Sequence, residues 1–418
     1  RDSRETVRIL PRTTVFGHFN HNHIALCERL TDHLRQPPPR QARERLWQVR
    51  AREVIAATGA HERPLVFASN DRPGIMLADA LRCYMNRYAV TPGRNIVVAT
   101  NGASAYEAAL DAKAHGLFVT IVDYRTRDQI GRERELAARA GIEILDNHTV
   151  LGTTGRAQVT GITVAPKTAS GGVGDARTLA CSAVAMSGGW TPVVHLFSQA
   201  RGKLDFDAAI DAFVPGASTS GTISAGACRG RYGLAECIAD GFDAGGRAGG
   251  AAPCSGPKFS GAVTARDVSG FEPVRVMPTN RTSVRDKAFV DFQNDVTTKD
   301  LKLAVQEGFQ SIEHVKRYTT TGMATDQGKT SNMNALGLVA GLLDVTPPDV
   351  GTTTFRPPYT PVTFGAFAGQ NRGGLFDPER VTPIHDWAER NGAKFEDVGL
   401  WKRAWYFPRT GEDMERAV

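Results

Sequence analysis

Through the first 250 residues the apolar positions come as short uninterrupted runs, each closed by glycine or a polar turn. Thr13-Thr14-Val15-Phe16-Gly17 is β-branched and aromatic and ends in glycine, which predicts a strand. Ile24, Leu26, Cys27 and Leu30 stand at helical spacings among charges and predict a helix, stopped by three prolines at 37–39. Residues 49–57 predict a buried strand ending in Ala57-Thr58-Gly59-Ala60. Next come an apolar run over 95–100, a turn at Asn101-Gly102, an alanine-rich helix over 104–115 and a second run over 117–122 closed by Asp123. Strands covered on both faces read as such continuous runs, so this stretch predicts a parallel β-α-β unit. Alternation over 159–164 predicts a strand with one exposed face, and 183–186 a further strand. Leu234, Cys237, Ile238, Gly241 and Phe242 mark one face of a helix.

The texture then changes. Residues 251–285 are rich in Gly, Ala, Ser and Pro and read as a linker. Leu301, Ala304, Val305, Gly308, Ile312 and Val315 predict a small helical unit. From 351 onward aromatics and prolines dominate, among them Phe355, Pro357, Pro358, Tyr359, Trp387, Trp401 and Trp405, in a region rich in turns.

Length and composition narrow the class. A chain of 418 residues has room for two or three domains, and 41% hydrophobic with 22% charged residues is a folding composition. The net charge of +6 does not indicate nucleic acid, because a phosphate footprint needs clustered cations. No apolar run reaches the ~20 residues of a membrane span and no secretory signal pattern opens the chain, so the expected location is the cytoplasm. Six cysteines stand far apart with no Cys-x-x-Cys, which predicts reduced thiols rather than a zinc or iron-sulfur site.

Few segments carry candidate chemistry. A buried strand ending in Ala57-Thr58-Gly59 lets a dinucleotide lie against the strand end, where a larger side chain would obstruct it. Ser224-Ala225-Gly226-Ala227, leading through Gly233-Leu234 into a helix, puts small residues before a helix N-terminus, where exposed N–H groups can hold a phosphate. An ordinary strand and close helix packing would read the same way. Thr100-Asn101-Gly102-Ala103-Ser104 stands where a glycine-rich phosphate loop would, but it has one glycine. With Asp123 at the place of a ribose-binding carboxylate, that unit reads as a nucleotide-binding fold without its nucleotide. His18, His21, His23 and Cys27 match no metal spacing. The run 316–330 gathers Lys316, Arg317, Thr319, Thr320, Gln327, Lys329 and Thr330, a set of cationic, hydroxyl and amide donors suited to a phosphate; a solvated polar loop is the plain alternative.

Taken together, Thr14-Val15-Phe16-Gly17, Ala60-His61-Glu62-Arg63-Pro64, Asn70-Asp71-Arg72-Pro73-Gly74-Ile75-Met76, the stretch 287–297, the run 316–330, the stretch 351–359, Thr382-Pro383-Ile384-His385-Asp386-Trp387 and Trp401-Lys402-Arg403 resemble the alpha subunit of the heterotetrameric, folate-dependent sarcosine oxidases of bacteria. The resemblance covers essentially the whole chain and implies a segment truncated at both ends of that subunit. It implies an α/β fold: a glutathione-reductase-like NAD domain (1–66 and 181–250, without its first glycine-rich turn) and an inserted second Rossmann-like domain (67–180). A linker (251–285) follows, then a cysteine-less ferredoxin-like helical unit (286–345) and the start of an aminomethyltransferase-like folate domain (346–418). NAD would meet Val15, Ala57, Thr58, Gly59, Gly226, Ala227, Tyr232 and Leu234. Flavoenzymes of this type usually carry Asp where Ala227 stands, which fits a non-redox NAD. Cluster thiolates would be replaced at Phe292, Asn294, Asp326 and Ser331, so no iron-sulfur cluster is expected. The run 316–330 would meet the phosphate of an FMN shared with the beta subunit.

The family reaction oxidises the N-methyl carbon of sarcosine and passes it to tetrahydrofolate, with electrons going through FMN to oxygen. The oxidising FAD lies on the beta subunit, so the resemblance implies no catalytic residue in this chain; gamma and delta subunits complete the complex. Two alternatives stay open: a subunit of a related amine, opine or proline dehydrogenase complex, and a non-catalytic NAD-binding scaffold.

Overall fold

The computed structural model describes residues 7–218, 220–250, 271–280, 283 and 286–417. Two compact units are distinguished, one of Val15–Ala25 with Gln48–Pro361, the other of Arg1–Thr14, Leu26–Trp47 and Val362–Val418.

Strands β1 (Thr13–Phe19), β2 (His23–Arg29) and β3 (Glu44–Arg50) form a three-stranded sheet in that order. The segment with helical spacing at Ile24–Leu30 is therefore strand β2. His21 (φ 59°) and Asn22 (φ 48°) supply the consecutive left-handed pair that turns a tight hairpin, and the hairpin overrides the spacing. The strand expected over 49–57 is likewise two, the end of β3 and the short β4 (Val54–Ala56). β5 (Ala60–Glu62) follows.

A parallel α/β layer comes next, its helices on one face of the sheet. β6 (Ile75–Leu77), α1 (Ala78–Tyr88), β7 (Asn95–Thr100), α2 (Ala105–Ala114), β8 (Phe118–Asp123), α3 (Arg132–Arg139) and β9 (Glu143–Leu145) are followed by an antiparallel sheet of β10 (His148–Thr154), β11 (Gly161–Pro166) and β12 (Arg177–Ala180). β13 (Ala183–Ser187) then returns to the parallel sheet, whose order is β6-β13-β7-β8-β9. Val184 lies opposite both Ile75 and Val97, so the strand read at 183–186 belongs to this sheet, which extends past residue 180. Ile96, Val98, Ile121 and the alanine face of α2, Ala105, Ala108, Ala109 and Ala112, are all essentially inaccessible, because alanine lets helix and sheet approach closely.

β14 (Trp190–Pro192) pairs with β5; α4 (His195–Gln199), the hairpin β15 (Leu204–Asp207) and β16 (Ala212–Pro215), β17 (Thr222–Ser224) and α5 (Leu234–Ala248) follow. Most of the expected linker lies outside the described residues. Within it 271–280 is docked: Met277 N–H donates to Val66 O at 2.8 Å and Glu272 N–H to Asn101 O at 3.0 Å.

The helical unit opens with β18 (Phe289–Asp291) and β19 (Val296–Thr297), then α6 (Thr298–Gln306), α7 (Ile312–Thr319), α8 (Asn332–Leu343) and α9 (Pro347–Val350). Its core is Leu301, Ala304, Ile312, Val315, Leu336 and Val339. In the other unit, α10 (Phe364–Ala368), β20 (Arg380–Val381), α11 (His385–Arg390), β21 (Lys394–Val398), β22 (Trp401–Tyr406) and α12 (Met414–Ala417) form a small sheet ordered β20-β22-β21 beside short helices. Among the described residues no helix is long and apolar enough to cross a membrane.

Candidate functional site

β4 and β17 run parallel, with Ala56 opposite Ser224, so Ala57-Thr58-Gly59 and Ala225-Gly226-Ala227 leave the same end of one strand pair. Ala225 N–H donates to Ala56 O at 2.9 Å and locks the two exits together. Thr58 Oγ1 donates to Val193 O at 2.7 Å, and Val193 N–H returns a bond to Gly59 O at 2.9 Å. Gly59 has φ +78°, and a Cβ there would meet open space. Ala57 is exposed beside it. The strand end is thus a small-residue shelf open to a ligand. Gly226, at φ +75°, donates its N–H to Asp240 Oδ2 at 2.7 Å, and Arg229 pairs with the same carboxylate. Leu234 opens α5 largely exposed, and Val15 is half-buried on β1. Tyr232 faces another way, into a small pocket with Gly102, Ser104, Trp190, Ile210 and Phe271, where its buried hydroxyl has no partner.

That pocket lies at the carboxyl ends of β7 and β13, the end of a parallel α/β sheet at which ligands bind. Here the chain fills the crevice itself. Trp190 Nε1 donates to Ser104 Oγ at 3.0 Å, Phe271 packs on Gly102 and Gly189, and the space left is about 20 Å³. Asp123 is fully buried: its Oδ2 accepts from Arg125 Nη2 and Tyr106 Oη, both at 2.8 Å, and its Oδ1 from Arg125 Nε at 3.1 Å. No face of that carboxylate is left for a ribose.

The run 316–330 is the last turn of α7 followed by a structured loop, not a solvated one. Lys316 is half-buried, and desolvation holds its ammonium below the usual lysine range. Arg317 pairs with Glu313 at 3.2 Å on the surface. Thr319 Oγ1 donates to Val315 O at 2.8 Å, and Thr320 closes the helix in the left-handed region. Gln327 Nε2 donates to Ala324 O at 3.3 Å and Thr330 Oγ1 to Asp326 Oδ2 at 3.4 Å. Thr321, 1% exposed, carries a buried hydroxyl with no partner. Lys329 turns away from the others: its Nζ donates to Tyr359 O at 2.7 Å and sits 4.2 Å from the Tyr359 ring centroid. Of the four positions read as replaced thiolates, Asp326 and Ser331 face the turn after β18, but their partners there are Gln293 and Asp291. Phe292 lines a cavity of about 230 Å³ with Asn70, Met76, Met186 and Thr330, and Asn294 reaches the Thr320 carbonyl.

Sequence reasoning missed the node around Tyr359. His61 Nε2 lies 3.0 Å from Tyr359 Oη, and the His195 ring stands 4.2 Å from Phe355 and 4.7 Å from Tyr359, centroid to centroid. Both His195 nitrogens are buried without a partner. His61 and the 351–359 stretch were conspicuous in the sequence, but only the fold brings residues almost 300 positions apart into one cluster. Among the described residues no group of three or more His, Cys, Asp or Glu could hold a metal, and Cys27, Cys83, Cys181, Cys228 and Cys237 are free.

Comparison with known proteins converges on one family. The sarcosine oxidase A3 domain matches residues 285–370. The sarcosine oxidase subunit alpha of Corynebacterium sp. (strain P-1) is 43% identical over 418 residues, 98% of this chain and 43% of that protein. That of Rhizobium meliloti (strain 1021) is 42% identical over 414 residues, 98% of this chain and 40% of that protein. Among solved structures, the L-proline dehydrogenase of P. horikoshii superposes with TM-score 0.59 at 19% identity, covering 85% of this chain and 64% of that one, which establishes a shared mixed α/β fold. The chain spans less than half the length of these curated relatives, and over the segment it matches it belongs to the sarcosine oxidase alpha-subunit family.

Proposed function

We propose that this chain is the NAD-binding and flavin-phosphate-binding part of the alpha subunit of a heterotetrameric sarcosine oxidase. The observation that carries the reading is the 42–43% identity to sarcosine oxidase alpha subunits along 98% of the chain. The complex oxidises sarcosine with O₂ and tetrahydrofolate to glycine, 5,10-methylenetetrahydrofolate and hydrogen peroxide. It is an oxidoreductase acting on a CH–NH donor, with its oxidising FAD on the beta subunit and with gamma and delta subunits completing it. The domain assignment follows: an NAD domain from 1–66 and 181–250 with β13 given to the inserted 67–180 domain, the cysteine-less helical unit at 286–345, and the opening of a folate domain from 346.

This chain's own work is binding. The residues present fit a dinucleotide, since the Ala57-Thr58-Gly59 shelf is open and positive-φ Gly59 leaves room for a ligand. Gly226 and Ala227 stand beside it, Leu234 beyond and Val15 on β1, whereas Tyr232 lines the separate pocket with Trp190 and Phe271. They also fit a phosphate, since the Thr321 hydroxyl is a buried donor without a partner and Lys316 and Arg317 stand on the preceding helical turn. An FMN bound there supplies one-electron and two-electron transfer. The chain would offer Lys316 and Arg317 to its phosphate, and Thr319, Thr320, Gln327 and Thr330 once their hydroxyl and amide donors leave the partners they hold, while Lys329 is committed to Tyr359. No side chain here moves a proton in the oxidation.

The full-length subunit co-expressed with beta, gamma and delta partners tests this. Sarcosine-dependent peroxide is the expected result. Turnover of proline or an opine in its place transfers the chain to a dehydrogenase complex, and assembly with bound NAD but no turnover makes it a scaffold.

A further inference from the structure

The loop after α7 holds four left-handed backbone positions, Thr320 (φ 65°), Gly322 (φ 68°), Gln327 (φ 53°) and Gly328 (φ 71°). Two of these are not glycine, and each such position costs on the order of 1 kcal/mol or more, persisting only where the surroundings impose it. The turn 291–294 is what imposes it. Asp291, 1% exposed, accepts from Gln293 N–H at 2.9 Å and Asn294 N–H at 3.1 Å with Oδ1, and from Gly322 N–H at 2.6 Å and Ser331 Oγ at 3.4 Å with Oδ2. Gln293 Oε1 accepts from Thr325 Oγ1 at 3.1 Å and Asp326 N–H at 3.2 Å. Asn294 Nδ2 donates to Thr320 O at 2.8 Å. The loop is therefore gripped at 320, 322, 325, 326 and 331 by the side chains of Asp291, Gln293 and Asn294.

All four donors to Asp291 are neutral N–H or O–H groups. A buried carboxylate satisfied this way depends on every one of them, because losing a partner exposes the charge to its full desolvation cost. The grip is thus reciprocal: the carboxylate fixes the loop, and the loop supplies two of the carboxylate's four donors. Thr321, whose hydroxyl has no partner, sits between two gripped residues, Thr320 and Gly322.

We infer that Asp291 is a positioning residue for the anion-binding run: with Gln293 and Asn294 it sets the loop 320–331 in the shape that presents Thr321 and its neighbours to a phosphate. The inference rests on the reading of 316–330 as a flavin-phosphate site. It assigns Asp291 no contact with the ligand.

The test uses the four-subunit complex assembled in cell-free translation, with either FMN or riboflavin as the sole added flavin. Riboflavin has the same ring and no phosphate. Asp291→Asn should lower FMN incorporation at limiting flavin at least tenfold and leave riboflavin incorporation unchanged, a selective loss that general unfolding would not produce. Arg317→Ala checks the underlying reading, and unaltered FMN incorporation in that variant sinks the reading and the inference together. If Arg317→Ala loses FMN while Asp291→Asn keeps the parental preference for FMN over riboflavin, the positioning role is overturned and the phosphate site stands. Should Asp291→Asn fail to assemble, Asn294→Ala removes only the bond to Thr320 O and must reduce the same preference; an unchanged preference there overturns the inference.

Discussion

His195 is a buried imidazole with aromatic rings against it and no hydrogen-bond partner on either nitrogen. Burial first, then the neighbouring His61 and Lys329, push its pKa from the ordinary 6.5 down to about 3. The fold therefore accepts only the neutral ring, while the unfolded chain protonates near pH 6.5. Stability from this site is complete above that pH and is lost as pH falls from about 6.5 toward 3, by up to about 1.4 kcal/mol per pH unit. His61 is held low for the same reason, burial, with Lys329 adding to it, so it works in the same direction. Unfolding free energies measured by denaturant between pH 8 and 4 should show this decline, and His195→Phe, which keeps a flat ring and removes its titration, should make it shallower, leaving the part due to His61 and the similarly buried His18. Equal slopes in the two proteins would exclude His195 as a source.

At the scale of elements, the sequence was readable where one local rule acted alone. The runs at 95–100 and 117–122 and the alanine-rich helix between them sit where patterning puts them, because strands covered on both faces have no second pattern to satisfy. β2 was misread because spacing at Ile24, Leu26 and Cys27 suits a helix and a half-buried strand alike, and the turn at His21 and Asn22 decided between them. The donor-rich run 316–330 was visible in composition. Its clasp was not, since Asp291 and Gln293 reach partners 31 to 40 positions away. That the chain turns at Ala57-Thr58-Gly59 was legible because glycine readily takes the left-handed backbone that ends the strand there, φ +78°. Gly59→Val puts a β-branched side chain at φ +78° into space that is open. The fold should survive at a cost of about 1–3 kcal/mol in strain, while the full-length subunit should copurify without NAD. Acid extraction followed by an enzymatic assay for NAD measures it, and NAD retained at the parental level would refute the shelf as the site.

Across the molecule, two dinucleotide-type layers have opposite fates. One presents an open shelf at the ends of β4 and β17; the other has turned its own ligand crevice into core. Trp190, Phe271 and Tyr232 fill the space at the ends of β7 and β13, and Arg125 and Tyr106 bond to the carboxylate where a ribose would bind. A ligand entering there would have to displace a fully buried ion pair, and exposing Arg125 or Asp123 without its partner costs several kcal/mol. Evicting the Trp190 ring would forfeit apolar burial as well. A nucleotide contacting a loop with a single glycine would have to offset those losses. Equilibrium dialysis of the assembled complex against NAD should therefore saturate at one nucleotide per alpha subunit, and at none in Gly59→Val. A second bound nucleotide, abolished by Asp123→Ala and untouched by Gly59→Val, would show instead that the inserted crevice opens in solution.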